Sequence, residues 1–367
     1  MNTRQKIEMA ALAASVMIAG SGAALLGAWA QTRGEKQGVL RSTIAFVSTR
    51  HDPAADPAVD PQRVFHAAEI YLMDGDGTQP RRLTENSYSD FFPALSPDGR
   101  RIVFDSNRLR AEGEPLNTSD LFVMNADGTA QTPLVRGSSA TWSNDGKRIA
   151  FHASASGKGP PIILQRPGAA TTDSDIFVMN VDDFLKKGTR PKNITNNPAA
   201  VDDDPDWSPQ GQKIVFTSHP VTNKKTDDHD TAEIYVTDAG GAGKPQRLTN
   251  NAEEERAPSW SPDGTRIVFM CRRGSPAQGE GPATFEICVM NADGTGQVRL
   301  TDNTFGDLTP SWSPDGKTIV FHRRVGGPGQ FQLFLINADG TGEKQLTFPP
   351  GINAFPNWGE ISGRAPK

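Results

Sequence analysis

"RAPSWSPDGTRIVF" occupies residues 256–269, and "LTPSWSPDGKTIVF" occupies residues 308–321. One phrase written twice signals internal repetition, and the repeat decides the fold before any other feature does. Further full copies stand at 91–104 ("FFPALSPDGRRIVF"), 138–151 ("SSATWSNDGKRIAF") and 202–216 ("DDDPDWSPQGQKIVF"), with a shortened one at 355–361 ("FPNWGEI"). The anchor residue is Leu95, Trp142, Trp207, Trp260, Trp312 and Trp358, at spacings of 47, 65, 53, 52 and 46. A second phrase follows each full copy: "LFVMNADGT" from 121, "IFVMN" from 176, "EIYVTDAGG" from 233, "EICVMNADGTG" from 286 and "LFLINADGTG" from 333. It also begins at 69 as "EIYLMDGDGT". Most copies run on to Leu-Thr or Ile-Thr, at 83–84, 194–195, 248–249, 300–301 and 346–347.

One unit reads physically as four strands. "PSW" starts a strand, with Pro tolerated at an edge. "SPDG" is turn chemistry, because Pro presets φ and Asp-Gly tolerates φ > 0. "RIVF" and "EICVMN" are short apolar runs, read as strands buried on both faces. "ADGTG" is a second hairpin turn, and "VRLT" is a short, polar outer edge. We call these strands a, b, c and d. Small sheets apolar on both sides satisfy themselves by stacking radially around an axis. "MDGDGT" (73–78) aligns with the hairpin turns of the other units and lacks the distal Glu of a calcium loop. The recurrent Trp residues read as core.

The ends complete the count. The chain finishes on an a-type strand ("PNW") and begins, after residue 40, with b-, c- and d-type strands ("STIAFVS", "EIYLMD", "RRLT"). Together they make one blade from both termini, which removes open sheet edges. The expected fold is all-β: a six-bladed propeller over residues 41–361, preceded by a leader or anchor (1–30) and a linker (31–40) and followed by a tail (362–367). The "P-x-W-S-P-D-G" repeats resemble the TolB-type propeller repeat, a WD-like repeat. The resemblance covers nearly all of 41–361. It implies a disc that docks partners, its channel mouth taking an extended peptide. That family carries an α/β domain ahead of its propeller, whereas the first strand here starts near Ile44, so the resemblance is to the propeller alone and does not extend to a Tol–Pal envelope role.

The net charge is −5, from 38 basic and 43 acidic residues. With no basic stripe interleaved with aromatics, nucleic-acid binding is excluded. Arg4 and Lys6 precede an uncharged stretch, Met9–Ala30, and "AWAQ" places small residues where a signal peptidase cuts. The stretch reads as a secretory signal or, alternatively, an uncleaved membrane anchor. Either reading puts the propeller in the periplasm or outside the cell, as a monomer of the bacterial envelope. Cys271 follows strand b of one blade, and Cys288 lies within strand c of the same blade. A disulfide and two buried thiols are both open, since a one-residue slip reverses the face.

Strand direction sorts the loops. The a–b and c–d turns share one face and are mostly short, except a longer c–d connection at 180–193. The b–c loops (48–67, 105–119, 152–173, 217–231, 270–284, 322–330) are long and dissimilar, and lie with the d–a links on the other face. Binding is expected there. Five residues before the anchors stand Asp90, Gly137, Asp202, Glu255, Asp307 and Asn353. Asp90, Asp202, Glu255 and Asp307 are candidates to ring the channel mouth, as a site for a basic peptide or for Ca²⁺. Local turn chemistry is the plainer reading of the same residues. His152, His322 and Asp105 occupy equivalent positions after strand b, a weak hint of a metal site. The function read here is a protein- or peptide-binding scaffold without catalysis or a required cofactor. Alternatives are a propeller-type polysaccharide lyase or other glycan-active enzyme, and a membrane-anchored sensory or structural ectodomain. A prolyl-oligopeptidase-like enzyme would need a G-x-S-x-G segment, which the sequence lacks.

Overall fold

The computed structural model describes residues 40–362 except 53–64, 66, 115–117, 155–173, 221–231, 252, 274–283 and 327–329. The leader, most of the linker and the tail lie outside the described residues, as does much of the b–c loops. The described residues form six four-stranded antiparallel sheets, each in the order a-b-c-d. Blade 1 runs Asp90–Leu95, Arg101–Ser106, Asp120–Asn125 and Thr132–Arg136. Blade 2 runs Ser138–Trp142, Arg148–Ala153, Asp175–Asn180 and Lys192–Asn193. Blade 3 is Ala200–Trp207, Lys213–Pro220, Glu233–Asp238 and Gln246–Arg247, and blade 4 is Glu255–Trp260, Arg266–Arg273, Thr284–Asn291 and Val298–Arg299. Blade 5 is Asp307–Trp312, Thr318–Arg324, Phe331–Asn337 and Lys344–Gln345. Blade 6 joins the C-terminal Asn353–Ser362 to Leu40–Ser48, Glu69–Asp74 and Arg81–Arg82. Residues 41–361 make one compact unit.

Closure is built from paired polar groups as well as from the sheet. Thr49 donates its amide to the Ile352 carbonyl (3.2 Å), and Ile352 returns its amide to the Thr49 hydroxyl (3.0 Å). The Ser48 hydroxyl donates to Asn353 (2.8 Å), and the Trp358 indole donates to Ser42 (2.8 Å). Each sheet packs on the next through its own apolar cluster. Ile149, Phe151 and Trp142 of blade 2 meet Val103, Leu121 and Val123 of blade 1. Equivalent clusters fill the other five junctions. The last Phe of strand b (Phe46, Phe104, Phe151, Phe216, Phe269, Phe321) is fully buried in every blade. That is what an apolar run sandwiched on both faces predicts.

The repeat phrases acquire physical roles. In "SPDG" the Ser hydroxyl donates to the Asp carboxylate (Ser96–Asp98, 2.6 Å), and the Gly sits at positive φ (Gly99, 64°). Three anchor Trp residues lie under the Arg that opens strand b of the preceding blade: Trp142 under Arg101, Trp207 under Arg148 and Trp312 under Arg266, at 4.6–4.7 Å. The Thr of each "LT" accepts the amide of strand c (Thr84 from Ile70, 2.9 Å; Thr249 from Ile234, 2.9 Å).

Two features differ from the sequence reading. The long c–d connection contains a helix, Val181–Lys187, capped by Asn180, which accepts from the Asp183 amide, and ended by Gly188 at φ 66°. Acidic residues in its first turn and lysines in its last complement the helix dipole. The b strands also run further into the loop face than the apolar pattern suggests, so Cys271 lies inside strand b of blade 4. Among the described residues no helix is long and apolar enough to cross a membrane.

Candidate functional site: the channel mouth

The inner strands of five blades each break register once, at the same place. In blades 1 to 5 the shift falls between Phe91 and Ala94, Ser138 and Thr141, Asp203 and Asp206, Arg256 and Ser259, and Leu308 and Ser311. Such a bulge twists the strand and re-aims a side chain. The residue three before each anchor takes a left-handed backbone: Phe92, Ser139, Asp204, Ala257, Thr309 and Phe355, with φ of 43–53°. None is glycine, so each carries a backbone cost that its surroundings must offset. These six residues and the two after each of them line the central channel, about 120 Å³ of space.

The amide displaced by the bulge is caught across the blade junction. Asp105 accepts from the Ser139 amide (3.3 Å), and Thr217 from the Ala257 amide (3.1 Å). His322 accepts at Nδ1 from the Phe355 amide (3.4 Å), with the Thr309 hydroxyl 2.6 Å from the same nitrogen. Complete burial lowers the His322 pKa to about 3, so the ring is neutral and fit to accept. Asp105, His152 and His322 therefore face three different junctions, and among the described residues no group of three or more acidic, His or Cys side chains is arranged to hold a metal ion.

The four sequence-chosen carboxylates sit one layer out from the channel wall. Asp90, Asp202, Glu255 and Asp307 are all buried, at most 2 % exposed. Both oxygens of Asp90 accept from Nη2 of Arg108 (3.0 and 2.9 Å), and one also accepts from the Asn86 amide (2.9 Å). Asp307 is held likewise by Arg323 (2.6 and 2.8 Å) and Asn303 (2.9 Å). Glu255 accepts from Asn251 (2.6 Å). Burial pushes Asp202 up to about 6 and Glu255 up to about 7. The Asn residues reach back as well: Asn86 bridges to Glu69 and Asn303 to Glu286, acids of strand c of the preceding blade. A latch thus runs from strand c of one blade through Asn to strand a of the next. Its sequence signal, missed above, is the Asn two residues after "LT": Asn86, Asn197, Asn251 and Asn303.

The mouth has two unlike halves. Around blades 5, 6 and 1 it is aromatic. Phe92 and Phe355 have ring centroids 4.5 Å apart. Phe65 stands 5.4 Å from Phe355 and 5.8 Å from Phe91, and His322 is edge-on to Phe331 and Phe355 at 5.1 Å. Exposed Tyr88, Phe305 and Phe348, in the d–a links of the same blades, extend the apolar character onto the loop face. Around blades 2, 3 and 4 the mouth is charged. Arg256 bonds to Glu254 and lies 3.8 Å from Asp203, and Arg272 reaches Glu254 at 3.1 Å. Asp105 accepts a short hydrogen bond from the Ser138 hydroxyl. Desolvation, with the charge of Asp204 added, raises Asp105 and Asp203 well above the usual carboxylate range.

Behind the charged half, Cys271 and Cys288 are joined by a disulfide with Cα atoms 5.9 Å apart. Cys271 pairs with Glu286 and Cys288 with Phe269, so the bridge runs diagonally across the hairpin on one face. That face packs on blade 3, beside Val215 and Val236.

With this geometry the comparisons with known proteins agree. Residues 162–362 match the TolB beta propeller domain. The chain is 31 % identical over 117 residues to the "Uncharacterized peptidase YuxL" of Bacillus subtilis, covering 32 % of this chain and 16 % of that one. It is 32 % identical over 251 residues to Dipeptidyl-peptidase 5 of Porphyromonas gingivalis, covering 62 % and 36 %. The chain spans less than two thirds of the length of these curated relatives. Among solved structures, TolB from Acinetobacter baumannii superposes with a TM-score of 0.62 at 20 % identity, covering 86 % of this chain and 66 % of that one. Repeat, closure and inner-strand geometry therefore lead to one assignment: the chain belongs to the TolB beta propeller domain family.

Proposed function

We propose that the chain is a binding scaffold outside the cytoplasm, docking an extended segment of a protein partner at the loop-face mouth of its channel, with no catalysis of its own. The observation that carries this is the pairing, on one rigid ring, of an aromatic shelf with a charged pocket, both opening on the cavity lined by Phe92, Phe355 and Asp204. Aromatic anchors beside fixed polar groups are the composition of protein-binding hot spots. Location outside the cytoplasm is supported by the uncharged stretch Met9–Ala30 and by the Cys271–Cys288 disulfide, a bond that persists in oxidising compartments. The test is capture from an envelope extract on the immobilised chain, run beside a Phe92→Asp variant. A partner retained in a saturable way by the wild type and lost by the variant supports the reading. Equal retention by both places binding elsewhere.

A second reading has one observation behind it: the curated relatives at 31 % and 32 % identity are named peptidases. In that reading the chain turns over peptides itself. Incubation with dipeptidyl-coumarin substrates decides it, since turnover above a heat-denatured control would replace the scaffold by an enzyme.

A further inference from the structure

The backbone of the channel wall is short of hydrogen-bond donors at one recurrent position. Two residues before the anchors stand Pro93, Ala140, Pro205, Pro258, Pro310 and Pro356. Five of these six positions have no amide proton to offer on the innermost strand, while their carbonyls remain. At these five positions the backbone of the wall can only accept, and a ligand that brings donors suits it there.

Charge points the same way. Asp204 lines the channel, is partly exposed, and among the described residues makes neither a hydrogen bond nor an ion pair. Asp105 and Asp203 feel its charge. One oxygen of each, Oδ1, is buried without a partner among the described residues, although Asp105 is fully buried and Asp203 only 8 % exposed. A buried acceptor left open in this way is costly unless something fills it. The two guanidinium groups nearby, Arg256 and Arg272, are engaged by Glu254 and Asp203, and neither makes an ion pair with Asp204, the partly exposed carboxylate of the wall.

We propose that the mouth selects a cationic side chain: a lysine or arginine of an extended partner segment seats its charge on Asp204, while an apolar neighbour in the same segment packs on Phe92 and Phe355. This rests on the docking reading above and names its specificity. The cavity has room for one side-chain end and several waters, not for a folded element. Both chemistries sit on its lining, so one extended segment meets them together. A free metal ion fits less well, because the apolar shelf would go unused and the described carboxylates form no cluster of ligating geometry.

The test uses the full chain and a positional-scanning array of acetylated, amidated octapeptides, so that no terminal charge confuses the result. Retained peptides are expected to share a lysine or arginine with an apolar residue nearby. Replacing that basic residue by glutamine is expected to weaken binding about tenfold, as loss of a charge-assisted hydrogen bond does. Asp204→Asn is expected to remove the preference for the basic peptide while leaving the glutamine peptide's affinity unchanged. Asparagine tolerates the left-handed backbone at this position, so the variant keeps its fold, which its melting temperature checks. Retained peptides with no charge preference, or an Asp204→Asn chain that still discriminates, would overturn the cation inference and leave peptide docking standing. Retention of no peptide at all would overturn both.

Discussion

The aromatic and charged halves of the channel mouth are built on the same backbone and do different things with it. Both carry the bulge, the left-handed residue three before the anchor, and a polar group from the preceding blade that catches the displaced amide. At blade 6 that group is neutral His322, enclosed by Phe331 and Phe355. At blade 2 it is Asp105, enclosed by Ser138 and the charge of Asp204. The repeated backbone is thus common to both halves, and the side chains that vary from blade to blade at fixed positions are what set them apart. The aromatic half buries apolar surface and stabilises. The charged half holds carboxylates out of water and costs stability, a pattern common to binding sites.

If that division is right, the largest effect of a single substitution lies on the aromatic side. Phe355→Ala removes a ring that is 5 % exposed and touches Phe65, Phe91, Phe92 and His322. It is expected to lower unfolding free energy by about 3–5 kcal/mol, as large-to-small changes in a packed core do. Asp204→Asn, across the channel, is expected to change it by less than about 0.5 kcal/mol. Urea denaturation of both variants measures the contrast. Equal losses would erase the distinction between the halves.

Next in size is the disulfide behind the charged half. It closes a segment of 17 residues at the junction of blades 3 and 4. A loop of that length constrains the unfolded chain by about 3 kcal/mol. Reduction under native conditions, or Cys271→Ser with Cys288→Ser, is therefore expected to cost about 2–4 kcal/mol, read as a shift of the denaturation midpoint. A reduced protein as stable as the oxidised one would mean that the junction is held by packing alone.

The charged half should also give stability a pH dependence of a particular sign. Burial raises Asp202 to about 6 and Glu255 to about 7, above their ordinary values of 3.8 and 4.5. A carboxyl raised on folding holds its proton more tightly in the native state. Its contribution is complete below about pH 4 and is lost as pH rises through 6 to 7. Stability is expected to fall by on the order of 1–3 kcal/mol between pH 5 and pH 8. Asp202→Asn should flatten part of that slope, and Phe355→Ala should leave it intact. Stability rising over this interval in the wild type would contradict the burial of these groups in uncharged form.

Much of this was legible in the sequence, and what was not has physical reasons. Blade number, strand order and terminal closure follow from a repeated phrase whose turns and apolar runs can be read locally. The helix at Val181–Lys187 was legible too, through Asn180, Asp182, Asp183, Lys186, Lys187 and Gly188, but its place in a c–d connection disguised it as a loop. The mouth was not legible to the same degree. Counting back five residues from the anchor finds the acids of the blade latch, whereas the wall begins three residues before it. The bulge between them inserts a residue that strict alternation does not anticipate. Phe92, Asp204 and Phe355 were visible as residues, but that they share one cavity is a property of ring closure, which no local pattern states.

The smallest effect concerns calcium. The acids Asp90, Asp202, Glu255 and Asp307 invite the idea of a cation at the mouth, and the two halves of the ring make it testable. Ca²⁺ takes six to eight oxygen ligands at close range. Asp90 and Asp307 give their oxygens to Arg108, Arg323 and asparagine amides, at different blade junctions. A cation entering there would have to displace a guanidinium already in place, so net binding energy would be small. Asp202 and Glu255 each keep one buried oxygen open, yet burial favours their protonated forms, which bind metal poorly. Millimolar Ca²⁺ is therefore expected to move the melting temperature by less than about 1 °C, because stabilisation by a ligand scales with its concentration over Kd and nearly vanishes when Kd is larger. The comparison is wild type against Asp202→Asn with Asp307→Asn, each with and without Ca²⁺. A rise of several degrees in the wild type that disappears in the double variant would show that the latch opens to admit the ion. The charged half would then be a metal site first and a docking pocket second.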